Sequence, residues 1–444
     1  MVKVITYGTY DYLHYGHIRL LERAKALGDY LIVGVTADDF DKNRGKINVQ
    51  QSLSERIEAV RKTGIADEII VEEYEGQKID DIIKYDIDIF TVGSDWVGQF
   101  DYLKEYCKVV YLARTEGISS SEIREQRRIV KFGIVGDSLF LQKIISESKY
   151  VNGLKLVGVC TTKAERFDGR IDIITNEYDE LLKRVDAVYI HAHPTAHYEM
   201  IKTALMAGKH VLCESPIALK RSQAVELFSL ADRMGLILTE ALRTAYSTAY
   251  HRLLLLIKGG KIGDVISVDA VCTSLKDYAE LELMKLDDLW NSITGWGPTA
   301  LLPIFQILGT DYKTCELTAH YIDKDRDFDV FSKADFGYSK AVASMKVGNG
   351  VKSEGELIIS GTKAYAYVPA PWWKTDYFEI RYENPSENRR YFYQLEGEGI
   401  RNELTEFKRS IERGKSDCCI SRKVSEKITE VIEKFVCKDG VREI

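Results

Sequence analysis

Two histidines and a glycine occupy the start of a predicted helix near the N-terminus. Residues 9–21 read TYDYLHYGHIRLL, so His14 and His17 stand three positions apart and enclose Gly16. The first amides of a helix lack internal partners and carry the positive end of its dipole, and a glycine lets a ligand approach them closely. Imidazoles at this place can donate hydrogen bonds to phosphoryl oxygens as charge builds in the transition state. The spacing therefore indicates a site that holds a nucleoside triphosphate by its phosphates.

The segments around these residues alternate between strand-like and helix-like patterns. The apolar run VKVITYG precedes the histidines, and the amphipathic stretch after them predicts a helix over 17–27. The alternation predicts further helices, among them 99–105, and it stops at the charged stretch SSSEIREQRR. It starts again with VKFGIVG and a helix over 137–147. Repeated βα units predict parallel sheets that are covered on both faces.

The pattern changes beyond residue 245. Longer alternating segments such as VISVDAVCTSL and TCELTAHYID predict a large, mostly antiparallel sheet, and helices near 401–413 and 422–437 close the chain. We therefore predict an α/β protein with three domains, at 1–127, 130–245 and 246–444. The last is an α+β domain whose C-terminal helices can pack back onto the second domain.

The composition limits the classes of partner. The chain has 444 residues, a net charge of -7 and a pI near 5.8, which give no electrostatic basis for binding nucleic acid or an anionic membrane. No apolar run is long enough to span a bilayer, and the N-terminus lacks a basic-then-apolar leader. The 8 cysteines show no zinc-site spacing. We expect a cytoplasmic protein with reduced thiols, no nucleic-acid partner and no membrane insertion.

Three segments of the first domain carry a family resemblance: VITYGTYDYLHYGHIRLLERAKALGDYLIVGV, VGSDWVGQFDYL and VVYLARTEGISSSEI. Residues 1–127 resemble the HIGH-type nucleotidyltransferases, and within them the family of glycerol-3-phosphate cytidylyltransferase. The resemblance implies a Rossmann-like nucleotidyltransferase domain. It also implies in-line attack of a substrate phosphate on the α-phosphorus of CTP, with release of pyrophosphate and with Mg²⁺ on the phosphate oxygens.

The resemblance assigns roles to basic residues at the start of this domain. His14 and His17 would act at the α-phosphorus. Lys46, in the basic loop DKNRGKINVQQ, would neutralise the triphosphate or the incoming phosphate, with Arg44 and Arg56 as weaker candidates. No covalent nucleophile is needed for such a reaction.

The signature RTEGISSSEI would complete the nucleotide site, with Arg114 and its neighbours at the β- and γ-phosphates. Ser119 and Glu122 have capping-box spacing, which independently predicts a helix start with free amides. No protein residue is assigned as a metal ligand, and Asp11 stays an option for contacting Mg²⁺. The residues that would border the nucleotide are Thr9, Tyr10, Asp11, Gly16, Asp95, Trp96, Arg114, Thr115, Gly117, Ile118, Ser119, Ser120 and Ser121.

A second set of segments spans the rest of the chain: VDAVYIHAHPTAHYEMIKTALMAGKHVLCESPIAL, ALRTAYSTAYHRLLLLIKGGKIGDVISVDA and NELTEFKRSIERGK. Residues 130–444 resemble the Gfo/Idh/MocA oxidoreductases. The resemblance implies a Rossmann dinucleotide-binding domain followed by a substrate and dimerisation domain. The residues that would contact the cofactor are Gly136, Ser138, Leu139, Thr161, Thr162, Lys163, His191, His193, Glu214 and Ser215.

The dinucleotide fingerprint departs from the family pattern. In GIVGDSLFL, Gly136 is kept, but Ser138 and Leu141 stand where the family has small residues. The acid that would bind the adenosine ribose is missing from CTTKAER, where Thr161, Thr162, Lys163 and Arg166 could instead receive a 2′-phosphate. We expect NADP(H) rather than NAD(H), and an ordinary polar loop is the alternative interpretation.

The family's catalytic positions also differ. Ser215 replaces the usual lysine, and Thr299 and Leu302 fall where a histidine and an aspartate are usual. None of these groups can do the usual acid–base chemistry. His193 is the candidate proton donor, with His191 and the more distant Tyr246 as further options.

Three hypotheses follow. In the first, the chain is bifunctional: the C-terminal module reduces a ketose phosphate or CDP-ketose with NADPH, and the N-terminal module makes a CDP-alditol for a surface polymer such as capsule or teichoic acid. In the second, only the cytidylyltransferase works, and a degenerate oxidoreductase-like module serves dimerisation or regulation. The third, a nucleotide sensor or scaffold, fits the intact phosphate-binding set poorly. We prefer the first, and by resemblance we expect a homodimer or higher homo-oligomer.

Overall fold

A computed structural model describes residues 1–37, 49, 51–74, 76–113, 129–167, 171–276, 290–323, 328–393, 395–416 and 419–444. These residues separate into two compact units, Met1–Ile129 and Val130–Ile444. No helix among the described residues is both long enough and apolar enough to cross a membrane.

The first unit contains a five-stranded parallel sheet. Its strands are β1 (Lys3–Gly8), β2 (Tyr30–Thr36), β3 (Glu68–Glu72), β4 (Ile89–Gly93) and β5 (Lys108–Leu112), in the order β3-β2-β1-β4-β5. Helices α1 (Tyr15–Lys25) and α2 (Leu53–Lys62) pack on one face, and α3 (Gln77–Tyr85) packs on the other. The strand order reverses between β1 and β4, and in open parallel sheets ligands bind at that reversal, beyond the carboxyl ends of the strands.

The second unit begins with a six-stranded parallel sheet. Its strands are β6 (Val130–Val135), β7 (Leu154–Cys160), β8 (Ile173–Thr175), β9 (Ala187–Ile190), β10 (His210–Glu214) and β11 (Leu238–Ala241), in the order β11-β10-β9-β6-β7-β8. The connections contain α4 (Leu141–Ser148), α5 (Tyr178–Leu182), α6 (Pro194–Met206) and α7 (Arg221–Met234). This is the strand order of dinucleotide-binding folds, with the reversal between β6 and β9.

A nine-stranded mixed sheet follows. Its strands are β12 (Val265–Thr273), β13 (Thr314–Asp323), β14 (Phe328–Gly337), β15 (Val342–Gly348), β16 (Leu357–Gly361), β17 (Ala364–Val368), β18 (Tyr377–Tyr382), β19 (Arg389–Phe392) and β20 (Val441–Glu443). Only the β12–β15 and β13–β20 pairs are parallel, so the mostly antiparallel sheet and the α/β class predicted from the sequence are confirmed.

The described residues of the second unit contain five more helices: α8 (Arg243–Tyr246), α9 (Thr248–Lys258), α10 (Ser292–Ile307), α11 (Ile400–Arg413) and α12 (Arg422–Val436). Helices α9, α10 and α12 share a core with the nine-stranded sheet. Helix α11 instead places Ile400, Leu404 and Phe407 in the core of the six-stranded sheet. The chain therefore returns to its own dinucleotide-type sheet after building the larger one.

Two helices differ from the sequence prediction. The helix expected over 137–147 begins only at Leu141, because residues before it form a turn in which Ser138 Oγ accepts a hydrogen bond from the Phe140 amide at 3.2 Å. The segment expected as a helix over 99–105 contains a short 3-10 helix, Asp101–Glu105.

Candidate active sites

The β1–α1 junction brings His14 and His17 together. Helix α1 begins at Tyr15, so His14 is its N-cap residue, in an extended conformation, and Gly16 lies in the first turn. The His14 carbonyl oxygen accepts hydrogen bonds from the amides of His17 and Ile18, at 2.9 and 3.1 Å. The two imidazole rings stack with centroids 3.9 Å apart and an interplanar angle of 18°. One compact pair of rings therefore stands at the helix N-terminus, where an anion binds favourably.

The loop that leads into this helix has an unusual backbone. Tyr10 and Tyr12 have φ angles of 54° and 46°, a left-handed conformation that is uncommon for aromatic residues. The Tyr10 ring is buried and meets the edge of His17, with centroids 5.5 Å apart. Asp11 is also buried, and its Oδ1 accepts a hydrogen bond from the Gln51 amide at 3.0 Å. Such strained backbone persists only where surrounding contacts hold it, and it is common at functional sites.

The Arg56 side chain stabilises this loop through hydrogen bonds to main-chain carbonyl oxygens. The side chain is fully buried and donates to the carbonyl oxygens of Thr9 at 2.6 Å, Thr36 at 2.8 Å and Gln51 at 3.1 Å. Its guanidinium therefore bonds to main-chain oxygens, rather than facing a phosphate as the sequence suggested. Sequence reasoning missed this supporting role, because no local pattern shows that a helical arginine lies inside.

Asp95 and Trp96 lie at the same edge of the sheet as the histidines. They form the short turn Ser94–Trp96 directly after β4, and β4 pairs with β1. Asp95 is exposed, and Trp96 packs on Phe100 with ring centroids 5.8 Å apart. The crevice between β1 and β4 is therefore bordered by predicted phosphate contacts on one side and predicted nucleotide contacts on the other.

Several predicted residues lie outside the described part of the chain. They are Arg44, Lys46, Arg114, Thr115, Gly117, Ile118, Ser119, Ser120, Ser121 and Glu122. Their roles stay predictions. Within the described residues, no group of three or more His, Cys, Asp or Glu side chains could hold a metal ion.

In the second unit, the loop after β6 approaches the end of β9 very closely. Gly136 has a φ of +141°, and a Cβ atom there would lie 2.0 Å from the His191 carbonyl oxygen. Only glycine fits, so the first position of the fingerprint has a physical reason. The Ser138 hydroxyl oxygen accepts the Phe140 amide in the turn before α4, and the Leu139 side chain is exposed.

Asp137, the next residue, is the centre of a hydrogen-bonded cluster. Its Oδ1 accepts from the Thr161 hydroxyl and the Thr162 amide, and its Oδ2 accepts from the Thr162 hydroxyl, all at 2.7 Å. Burial alone would raise the pKa of Asp137, but the hydrogen bonds from Thr162 and Thr161 outweigh it and hold that pKa below its usual range. Sequence reasoning looked for an acid after β7 and overlooked the one in the glycine loop.

A cavity of about 440 Å³ opens beyond the ends of β9, β10 and β11. Its wall includes five aromatic rings and three cations, and it also contains Ser215 and Thr299, which the resemblance aligned with two catalytic positions. Leu302, by contrast, is fully buried in the apolar core. The residues of interest in the wall are Phe140, His191, Trp290, Trp296, Trp373, Arg243, Lys276, Lys374, Glu214, Ser215, Thr299 and Asn349.

The two histidines after β9 have different positions. His191 lies in the cavity wall between the rings of Phe140 and Trp290, with centroids at 5.4 and 5.6 Å. His193 is the N-cap of α6, and its Nδ1 contacts the Thr195 hydroxyl at 2.8 Å. Among the described residues the wall includes His191 and does not include His193.

Buried hydrogen bonds support the cavity wall. The Ser215 hydroxyl donates to the carboxyl group of Glu240, whose pKa is raised by burial. The Tyr189 hydroxyl donates to Glu214 in the same way. His197 is buried with its ring nitrogens near the carbonyl oxygens of Pro216 and Ala192, at 2.7 and 2.9 Å, so it holds two loops together. Tyr246 is buried too, and its hydroxyl donates to the Glu240 carbonyl oxygen at 3.2 Å.

Comparison with known proteins identifies both units. Residues 5–126 match the cytidylyltransferase-like family, and residues 130–242 match the oxidoreductase family with an NAD-binding Rossmann fold. Over 125 residues the chain is 52% identical to glycerol-3-phosphate cytidylyltransferase of Bacillus spizizenii, a match that covers 28% of this chain and 96% of that protein. The chain belongs to the cytidylyltransferase family and carries a fused Gfo/Idh/MocA oxidoreductase module.

Solved structures resemble the second unit in fold. The 3-ketoreductase KijD10 of Actinomadura kijaniata, in complex with NADP and TDP-benzene, aligns with a TM-score of 0.62 at 20% identity, over 71% of this chain and 98% of its own. An oxidoreductase from Agrobacterium radiobacter, in complex with NAD+, L-tartaric acid and magnesium, aligns with a TM-score of 0.59 at 15% identity, over 69% and 94%.

Proposed function

We propose that the chain is a bifunctional enzyme that makes a CDP-activated alditol. The C-terminal module reduces a ketose phosphate, or its CDP ester, to the alditol, and the N-terminal module transfers CMP from CTP to the polyol phosphate. The observation that carries the proposal is the stacked His14–His17 pair at the β1–β4 crevice, in a unit 52% identical to a cytidylyltransferase. The fused oxidoreductase module suggests that the acceptor is itself made by reduction.

In the transferase step, a phosphate oxygen of the acceptor attacks the α-phosphorus of CTP and the bond to the β-phosphate breaks. Pyrophosphate leaves on the opposite side of the phosphorus. His14, His17 and the first-turn amides of α1 would stabilise the charge that develops on the α-phosphoryl oxygens. Mg²⁺ would be held mainly by phosphate oxygens of the substrate, since Asp11 is buried and already accepts the Gln51 amide.

The cavity of the second unit fits a phosphorylated ketose. Arg243 and Lys374 both contact Glu398, at 3.2 and 2.8 Å, whereas Lys276 forms no salt bridge within the described residues. A phosphate group could pair with these cations, while the tryptophan rings pack against the carbon chain. We assign the phosphate of the ketose to the end of the cavity that holds Lys276.

The loop after β6 supports a dinucleotide site, because Gly136 allows the tight turn against the His191 carbonyl oxygen that the first glycine of the fingerprint provides. When bound, reduced nicotinamide dinucleotide would supply the hydride, with NADPH proposed as in the sequence-based prediction. His191 would give a proton to the carbonyl oxygen as it becomes a hydroxyl, because it lies in the cavity wall and His193 caps a helix. The contacts that we propose around the cofactor are Gly136, Ser138, Leu139, Thr161, Thr162, Lys163, His191, Glu214 and Ser215.

A second candidate function is a cytidylyltransferase with an inactive oxidoreductase module. The specific observation in its favour is that Ser215 donates to the buried Glu240, so the position of the family lysine carries no cation. In that case the module would serve dimerisation or regulation, and light scattering on the purified chain would measure the expected dimer.

The test assays the full chain with CTP and a panel of glycerol, pentitol, hexitol and ketose phosphates, with and without NADPH. Pyrophosphate release with an alditol phosphate, together with NADPH oxidation by the matching ketose phosphate, is the expected result. Pyrophosphate release without oxidation of NADPH by any ketose phosphate or CDP-ketose would leave the second candidate. No pyrophosphate release with any acceptor would overturn both.

A further inference from the structure

The end of β7 faces the place where a dinucleotide-binding sheet receives the adenosine ribose. In such sheets an acid there binds the ribose hydroxyls of NAD, and a cation accommodates the 2′-phosphate of NADP. This chain has Thr161, Thr162 and Lys163 at that end, and the acid comes instead from the glycine loop, as Asp137. The same small region therefore carries features of both kinds of site.

The threonine hydroxyls have already used their hydrogens. A hydroxyl has one hydrogen to donate, and both Thr161 and Thr162 donate it to the Asp137 carboxylate. The Thr161 oxygen also accepts the Lys163 amide at 3.0 Å. What Thr162 presents outward is therefore an acceptor, which suits a ribose hydroxyl and does not suit a phosphate oxygen.

The charged groups around Asp137 have opposing effects on the binding of a 2′-phosphate. Its hydrogen bonds keep the carboxylate ionised, so an added phosphate dianion would stand near a negative charge. Lys163 is exposed beside it, and Arg166 donates to the Asp137 carbonyl oxygen. Both cations favour the phosphate. Glu165, between them in sequence, is exposed, whereas the donors to the Asp137 carboxylate are Thr161 and Thr162.

We propose that Asp137 is the residue that sets the cofactor preference, by lowering the affinity for the 2′-phosphate of NADPH so that NADH is also accepted. The proposal rests on the dinucleotide binding proposed above. It assigns Lys163 and Arg166 to attraction of the phosphate and Asp137 to the opposing effect. Loss of the carboxylate charge therefore makes the site selective for NADPH, both by removing repulsion and by freeing the outward Thr162 hydroxyl to donate once Oδ2 no longer accepts it.

The experiment measures binding rather than turnover. Isothermal titration of the full chain with NADPH and with NADH gives the ratio of the two dissociation constants for the wild type, Asp137→Asn and Glu165→Gln. The last variant removes one negative charge from the neighbouring turn and controls for general electrostatics. We expect Asp137→Asn to shift the ratio toward NADPH by roughly tenfold or more, and Glu165→Gln to shift it less than about twofold.

The possible outcomes are distinct. An unchanged ratio in Asp137→Asn, or a shift toward NADH, overturns the role of Asp137 and leaves the proposed reductase intact. Equal shifts in the two variants also overturn it, because they show a nonspecific charge effect. Wild-type chain that binds neither dinucleotide overturns the reductase proposal itself. Asp137→Ser, checked by thermal melting, provides a second variant in which the same shift is expected if the asparagine variant fails to fold.

Discussion

The β1–α1 and β6–α4 junctions occupy equivalent places in two parallel sheets, but they differ in charge and in shape. At the first, α1 starts directly after His14, and two imidazoles stack beside its first amides. At the second, α4 starts only at Leu141, and the loop carries the carboxylate of Asp137. The first junction therefore suits the phosphates of a triphosphate, and the second has an acid beside the place of the adenosine ribose. The side chains at a junction, more than the strand order, decide its chemistry.

The largest expected effect is a loss of transferase activity that leaves the reductase activity nearly unchanged. Changing both His14 and His17 to alanine removes the imidazole donors from the α-phosphoryl group, so kcat for pyrophosphate release should fall by roughly a thousandfold or more. NADPH oxidation by the same protein should stay within about twofold, because the change lies in the other unit. Equal losses in both activities would show a folding defect rather than a catalytic role.

The next effect tests which of the two histidines after β9 donates the proton in the second unit. His191→Asn should lower kcat for ketose phosphate reduction by about a hundredfold and remove one limb of its pH profile, because the proton donor is lost. His193→Asn is the matched control, with a loss of no more than about threefold expected, because asparagine can also cap α6. A reversal of these two results would return the role to His193.

The support that Arg56 gives to the β1–α1 junction can be measured as a change in the free energy of unfolding. Arg56→Met leaves the carbonyl oxygens of Thr9, Thr36 and Gln51 without their buried donor, so the free energy of unfolding should fall by about 3 kcal/mol. Arg61→Met on the same helix is the control, since its pair with Glu58 is exposed and worth well under about 1 kcal/mol. Denaturant titration followed at the N-terminal unit checks both variants.

The smallest effect is a pH dependence of the stability of the second unit. Burial raises the pKa of Asp329 to about 7, while the carboxyl group caps α10 through the Ile293 amide. The folded state therefore holds a proton that the unfolded state releases, and stability should fall by about 2 kcal/mol or more as pH rises from 4 to 7. Asp329→Asn should flatten this dependence, whereas Asp335→Asn, at a half-buried carboxylate on the same strand, should leave it unchanged. Thermal melting curves of the wild type and of both variants across that pH range check these expectations.

Sequence reasoning recovered most of the fold, because alternation of apolar strands and amphipathic helices is a strong local signal. It placed His14 and His17 at a strand-to-helix junction, and the structure brings their rings together. It aligned Ser215 and Thr299 with two catalytic positions of the Gfo/Idh/MocA family, and the structure places both residues in the wall of one cavity. These successes depend on motifs whose residues are close in sequence or in a familiar order.

The remaining site features depend on contacts between distant segments. Nothing local shows that Asp137 faces Thr161 and Thr162, or that Arg56 is buried under Thr9. Likewise, two histidines separated by one residue after a strand do not reveal which one enters the cavity. Such facts follow from how the strands are ordered and from where each loop finds hydrogen-bond partners, so they required the structure.

The most direct test of a coupled, two-step enzyme follows a hydride into the nucleotide product. The full chain is incubated with CTP, a ketose phosphate and NADPH that carries deuterium at the transferable position, and the CDP ester is analysed by mass spectrometry. A bifunctional enzyme yields a CDP-alditol that contains one deuterium atom. A CDP ester without deuterium, formed at the same rate when NADPH is omitted, would contradict the proposed function.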